Sequence, residues 1–245
     1  MIASPPDFEN EGRSQPEPIV LVIDDEAHIR HTLAEALTAV PARVIEAADA
    51  HQGLEQARAV RPDLVVLDLG LPDGTGLDVC RGIRRWSMAP IVVLSARHAE
   101  SEKIELLNAG ADDYVSKPFS LAEFVARVQA QLRRARAPKH DPAKAVEIDG
   151  LTIDLVNRVA KRDDRAIHLT PTEWSILKTL VSHAGRPVTH QQIFDEVWGR
   201  DFGDPSQYLR VFVTHLRRKI ERNPATPRVI TTEPGVGYRF GGAKQ

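Results

Sequence analysis

Asp24-Asp25, Asp68, Ser95 and Lys117 are the residues of this 245-residue chain whose types and placement could do chemistry together. Three carboxylates held close would repel one another and need a cation. Oxygen ligands of this kind suit Mg²⁺, which keeps some of its waters and readily adds a phosphate oxygen. An ionised Asp68 is already in its attacking form, so it could take a phosphoryl group as an aspartyl phosphate without a general base. Mg²⁺ and Lys117 would offset the charge of the phosphoryl oxygens, and Ser95 would donate a hydrogen bond to one of them. Taken singly, each group has a plainer reading as a capping Asp, an N-cap serine or a solvated lysine. What raises them above that is where the chain puts them.

Asp24-Asp25 follows the apolar run Ile19–Ile23, Asp68 follows 64–67, Ser95 follows 91–94, and Lys117 comes just after Tyr114-Val115. Apolar runs without polar alternation are the sign of parallel strands buried on both faces. A further strand reads over 43–46. Helical patterns alternate with the strands: Ile29, Leu33 and Leu37 at four-residue spacing, then 50–60, 77–85, 100–108 and 121–134. Five such alternations predict an α/β fold, a doubly wound five-stranded parallel sheet whose ligand site lies outside the carboxyl ends of its strands. All four groups then share one edge. Gly70, Pro72, Gly74 and Gly76 mark the loop beyond Asp68.

The charge is divided unevenly. Residues 1–137 hold 15 Lys and Arg against 21 Asp and Glu, net −6, whereas residues 138–245 hold 17 against 13, net +4. An acidic half joined to a basic half points to different partners, with nucleic acid a candidate for the second. A lone cysteine, Cys80, excludes an internal disulfide and fits a reducing cytosol. No apolar run approaches membrane-spanning length and no signal-peptide pattern opens the chain, so a cytoplasmic location without membrane insertion is expected. Residues 1–17 are polar and Pro-rich and read as a disordered tail, and residues 136–145 as a linker between a domain at 18–135 and another at 146–243.

The second half begins with short strands, Val146–Ile148, Leu151–Asp154, 159–161 and 167–169, separated by turns. Thr170-Pro171-Thr172-Glu173 opens a helix with an N-cap, a first-position proline and a capping box. A second helix follows Val188-Thr189. A third, about 206–222, carries an apolar stripe of Leu209, Phe212, Val213, Leu216 and Ile220. Arg210, Thr214, Arg217 and Arg218 fall on its other side, with His215 at the flank. Three helices ending in a basic amphipathic one fit a helix-turn-helix laid into the major groove. A hairpin around Pro234-Gly235 would form a wing, carrying Thr232, Tyr238 and Arg239 toward DNA. On this face Arg210 or Arg217 is expected to read a base, and Arg218 and Arg239 to hold phosphates.

Val-Ile-Asp-Asp-Glu (22–26), Leu-Asp-Leu-Gly-Leu-Pro-Asp-Gly (67–74), Leu-Ser-Ala-Arg (94–97) and Ala-Asp-Asp-Tyr-Val-Ser-Lys-Pro-Phe (111–119) resemble the receiver domain of two-component response regulators. Leu-Thr-Pro-Thr-Glu (169–173) and Gly-Val-Gly-Tyr-Arg-Phe (235–240) resemble the winged-helix DNA-binding domain of the OmpR/PhoB class. Within that class, Arg85-Trp86-Ser87 and Tyr208-Leu209-Arg210 are similar to regulators of potassium-transport genes. The resemblance implies Asp68 as phosphoacceptor, metal ligation by Asp24, Asp25, Asp68 and the Gly70 carbonyl, a switch pair of Ser95 and Tyr114, and a cis bond before Pro118. It implies dimerisation through Lys103 with Glu123 and Asp113 with Arg127, although Asn108 and Gln129 replace a third pair. The implied partners are a sensor histidine kinase, promoter DNA, RNA polymerase and a second copy of the chain. Two rivals remain. An Asp-nucleophile phosphatase would need a second Asp where Gly70 stands, and a constitutive DNA binder would not need the acidic pocket.

Overall fold

The computed structural model describes residues 16–96, 100–136, 145–199 and 205–241, so the expected tail and linker fall almost wholly outside the described residues. Five strands, β1 (Ile19–Ile23), β2 (Arg43–Ala47), β3 (Leu64–Asp68), β4 (Ile91–Ser95) and β5 (Asp113–Ser116), form one all-parallel sheet in the order β2-β1-β3-β4-β5. Every residue of β3 and β4 is buried. Parallel strands covered by helices on both faces have no solvent side to alternate toward, hence their apolar runs. The covering helices are α1 (Ala27–Leu37), α2 (Ala50–Val60), α3 (Gly76–Arg84), α4 (Glu100–Ala109) and α5 (Leu121–Arg136). On one face Val20, Val22, Val66 and Leu94 pack against Leu33, Leu37, Phe124 and Val128. On the other, Leu21, Ile23, Val65 and Val93 meet Val79, Ile83 and Leu106. The strand order changes direction between β1 and β3, and that is the crevice a ligand enters.

The remaining elements build an antiparallel sheet of β6 (Val146–Ile148), β7 (Leu151–Asp154), β8 (Val159–Arg162) and β9 (Arg165–Ile167), then α6 (Pro171–Ser182), β10 (Pro187–Thr189), α7 (His190–Val197), α8 (Pro205–Ile220), β11 (Ile230–Glu233) and β12 (Gly237–Phe240). Thr170 and Thr189 each cap a helix in a full capping box, with Glu173 and Gln192 reaching back. The stripe Leu209, Phe212, Val213, Leu216 and Ile220 is buried throughout, sealed against Ile176, Leu180 and Ile193. The last strand of the four-stranded antiparallel sheet, β9, runs over Arg165–Ile167 rather than 167–169. Leu169 instead precedes the α6 cap and joins the same core as Trp174, the arrangement of a hydrophobic staple.

β10 has no sequence pattern of its own, and its existence rests on β12, to which it pairs through Pro187, Val188 and Thr189. Gly237 makes that pairing possible, since a Cβ there would stand 2.0 Å from the Val188 carbonyl oxygen and 2.9 Å from Thr189 Cα. Both obstacles are backbone and cannot swing aside. Gly237→Ala is therefore expected to destabilise the winged-helix half by about 1–3 kcal/mol or more, lowering its thermal midpoint. An unchanged melting curve would contradict the tight packing of β10 on β12.

Candidate functional site

β1 and β3 are adjacent, and each carries an aspartate to the same edge. Asp24 is fully buried and Asp68 nearly so. Lys117, one residue past β5, reaches between them: its Nζ lies 2.6 Å from Asp68 Oδ1 and 3.1 Å from Asp24 Oδ2. Glu26 Oε1 stands 4.0 Å from the same ammonium. The second oxygen of each aspartate is held by the backbone. Glu26 N donates to Asp24 Oδ1 at 2.9 Å, and Gly70 N donates to Asp68 Oδ2 at 2.6 Å. The peptide Lys117–Pro118 is cis, as the resemblance implied. The Lys117 amide donates to the Ser95 carbonyl at 2.7 Å, tying the end of β5 to the end of β4.

Burial pushes the Asp24 carboxyl above the usual carboxylate range, and neither the Glu26 amide nor the Lys117 ammonium fully reverses it. For Lys117 burial acts to lower the value. The hydrogen bond and charge of Asp68, with Asp24 behind it, outweigh that and hold the ammonium above its ordinary value. One cation thus serves two buried carboxylates, which leaves the pocket short of positive charge.

Asp25, next to Asp24 in the chain, is exposed. Among the described residues no three His, Cys, Asp or Glu side chains are gathered closely enough to hold a metal ion. The charge deficit and the oxygen-only donors around Asp24 and Asp68 nevertheless fit a hard divalent cation. Two residues absent from the sequence reading shape the edge. Arg30 Nη1 donates to the carbonyls of Asp24 and Asp25 at 2.7 and 3.1 Å, and Asp73 caps α2 from the β3–α3 loop, accepting from Ala50 N at 2.7 Å and His51 N at 2.9 Å. The Asp73 contact has no local signal, since it joins segments that meet only in the fold.

Ser95 is buried at the end of β4. Tyr114 stacks on Tyr208 of α8, ring centroids 5.4 Å apart and planes 15° off parallel. The expected dimer residues are used within the chain. Arg127 binds Asp113 at 3.0 Å and Glu123, four residues back, at 2.9 Å. Lys103, its expected counterpart to Glu123, has a side chain outside the described residues.

On α8, Arg210, Thr214 and Arg218 are exposed. Arg217 is not free as a base reader would be. Its Nε donates to the Ile230 carbonyl at 2.9 Å, its Nη2 to Thr232 Oγ1 at 2.8 Å, and its guanidinium lies 5.7 Å from the Tyr238 ring centroid. Arg217 and Thr232 therefore bind the wing to the helix. Arg239 pairs with Glu233 at 2.8 Å across the hairpin, so it too has an internal partner. Tyr238 is buried. His215 is turned to Asn108 of α4, Nε2 to Oδ1 at 2.7 Å, and its burial, aided by Arg218 and Lys219, pulls it down to about 4. Asp112, which the sequence did not single out, is fully buried. It accepts from Arg84 and from Ile91 N at 3.1 Å, and Thr172 N of α6 lies 3.4 Å away.

Residues 20–129 match the family described as "Response regulator receiver domain", and residues 164–240 match "Transcriptional regulatory protein, C terminal". The chain belongs to the response regulators of the OmpR/PhoB type, phosphorylation-dependent transcriptional regulators whose partners are a histidine kinase and promoter DNA. Among curated proteins it is similar to the KDP operon transcriptional regulatory protein KdpE of Escherichia coli (strain K12), 46% identical over 221 residues, 90% of this chain and 98% of that protein. It is 45% identical over 222 residues to the transcriptional regulatory protein KdpE of Mycobacterium tuberculosis, covering 91% and 98% of the two chains. Of solved structures, the Thermotoga maritima OmpR/PhoB homologue DrrB is 30% identical with a TM-score of 0.51, covering 92% of this chain and all of that one. A RitR mutant at 25% identity has a TM-score of 0.73 over the same shares. No helix among the described residues is long and apolar enough to cross a membrane.

The direction of the Asp24 shift has a consequence for stability. Because its folded-state value is raised, ionising Asp24 costs the fold, and that cost grows as pH rises from the unfolded value, 3.8, through the folded one. Asp24→Asn is expected to raise the metal-free thermal midpoint at pH 7, with the gain fading as pH falls through the folded value toward 3.8. A lower midpoint for the variant at pH 7 would show that the Lys117 pairing outweighs burial.

Proposed function

We propose that Asp68 accepts a phosphoryl group from a sensor histidine kinase and that this licenses binding to promoter DNA. The observation that carries the reading is the Lys117 bridge between Asp68 and Asp24, since it places a fixed ammonium where phosphoryl oxygens must be balanced. Asp68 attacks phosphorus through a carboxylate oxygen; the bond from phosphorus to the kinase histidine breaks and its electron pair stays on that imidazole. The Gly70 amide, already on Asp68 Oδ2, keeps the carboxylate oriented. Ser95 and Lys117 then contact the phosphoryl oxygens, and Tyr114 responds as the other member of the switch pair. Mg²⁺ held by Asp24, Asp25, Asp68 and the Gly70 carbonyl would supply the positive charge that Lys117 alone leaves short.

Dimerisation then sets two winged helices on repeated half-sites, where the regulator contacts RNA polymerase. Asp113, Arg127, Glu123 and Lys103 are the residues assigned to the dimer face. The regulated genes are those of potassium transport, a reading supported by the likeness to two KdpE proteins. Asp68→Asn is expected to abolish labelling by a small phosphodonor and, with it, the donor-dependent gain in DNA affinity. Undiminished label on that variant would place the acceptor elsewhere.

On the DNA side Arg210 and Arg217 take different roles. Arg210 is exposed and open to a base edge, so Arg210→Ala should lose about 1–3 kcal/mol of discrimination between operator and random duplexes. Arg217→Ala should instead loosen the wing and weaken both duplexes alike, with a loss of about 1–2 kcal/mol in stability. The reverse pattern in a binding series would exchange the assignments.

A further inference from the structure

We propose that the cleft between the C-terminal end of α4 and the facing turns of α6 and α8 binds a small organic phosphate of nucleoside monophosphate size. None of its lining residues belongs to the pocket of Asp24, Asp68 and Lys117, so the site is independent of the function proposed above.

The cleft has a volume of about 420 Å³, in the lower part of the range that small-molecule sites occupy, which suits one metabolite rather than a polymer. Its charge is lopsided. Arg84, His168, His215, Arg218 and Lys219 line it, against one carboxylate, Glu173. Two of the cations are committed elsewhere. Arg84 donates to the carbonyls of Gly110 and Ala89 at 2.8 and 2.6 Å and to Asp112, so it builds the wall and is not a ligand. Lys219 Nζ lies 2.6 Å from Glu173 Oε2, which also accepts from Thr170 N at 2.8 Å, and that carboxylate is thereby neutralised. Arg218 and His168 are exposed and have no hydrogen-bond or ion-pair partner among the described residues. Two donor groups therefore face a cleft that supplies them with no anion.

His215 senses the resulting field. Burial first, and then the charges of Arg218 and Lys219, pull its imidazole down to about 4. The positive charge of Arg218 is thus felt across the cleft instead of being cancelled within it. A phosphate answers this better than a carboxylate, since it brings three acceptor oxygens and up to two charges to a guanidinium and an imidazole at once. Guanidinium geometry also matches two phosphate oxygens with parallel hydrogen bonds. The rest of the wall is uncharged. Met88 is half-buried and Ala109 buried, and the two give an apolar floor on which an organic group can rest, with the polarisable thioether suited to a flat ring. Arg218 is also the side chain expected to hold a DNA phosphate, so ligand and duplex draw on one guanidinium.

The test is isothermal titration calorimetry on the full chain with AMP and, separately, with inorganic phosphate. EDTA is present and no phosphodonor is supplied, which keeps metal out of the Asp68 pocket. AMP is expected to bind once per chain, and inorganic phosphate about tenfold more weakly, because it leaves Met88 and Ala109 uncovered. Arg218→Ala and His168→Ala should each weaken AMP by about tenfold. Arg186→Ala, which removes an exposed arginine of the winged-helix half outside the cleft, should bind AMP like the parent. All three side chains are exposed, so the variants should melt with the parent. An absence of saturable AMP binding, or a loss of affinity that Arg186→Ala shares, would overturn the site. Equal affinities for AMP and inorganic phosphate would overturn its claim on an organic ligand.

Discussion

The interaction on which the rest depends is a single ammonium shared between two buried carboxylates. Asp24 and Asp68 are brought within reach of Lys117 only because β1 and β3 are neighbours in one parallel sheet and β5 closes its other side. Removing that many polar groups from water is costly unless they are paired, and here one cation covers two anions. The pocket is consequently unbalanced in charge, and such a site gains from added positive charge.

β5 joins the pocket to the outer face of the receiver. Tyr114 and Lys117 lie three residues apart, one outside the pocket and the other within it. Asp113 ties the same strand to α5 through Arg127, Ser116 is in register with Ser95, and the Lys117 amide binds the Ser95 carbonyl. Lys117 at one end of this segment faces Asp68, and Tyr114 at the other stacks on Tyr208 of α8. Asp112, buried beside Asp113 and reaching both Arg84 and Thr172, adds a second tie between the receiver and α6.

Much of this was legible in the sequence because it is written in local patterns. The apolar runs ending in Asp24, Asp68 and Ser95 show where a sheet must stop, and the stripe from Leu209 to Ile220 shows which side of α8 is buried. The capping residues Thr170 and Glu173 fix the start of α6. Other features are set by contacts between distant segments and leave no local trace. Arg217 reads as a DNA ligand until β11 and β12 are seen to use its donors. Arg127, expected to reach Asp113 of a second copy, binds Asp113 of its own chain. Asp112 and Gln131 look like ordinary surface polar residues, yet both are fully buried. Tyr208 carries no local signal of its own, and only the fold reveals its stack on Tyr114.

On the proposed reading, a phosphoryl group on Asp68 alters the contacts that α8 makes with the receiver. Hydrogen–deuterium exchange on the full chain, with and without a small phosphodonor, measures this directly. Peptides spanning 104–109 and 208–219 are expected to lose protection together on phosphorylation, and neither to change in Asp68→Asn. Full phosphorylation of Asp68 with the protection of both segments unaltered would contradict it.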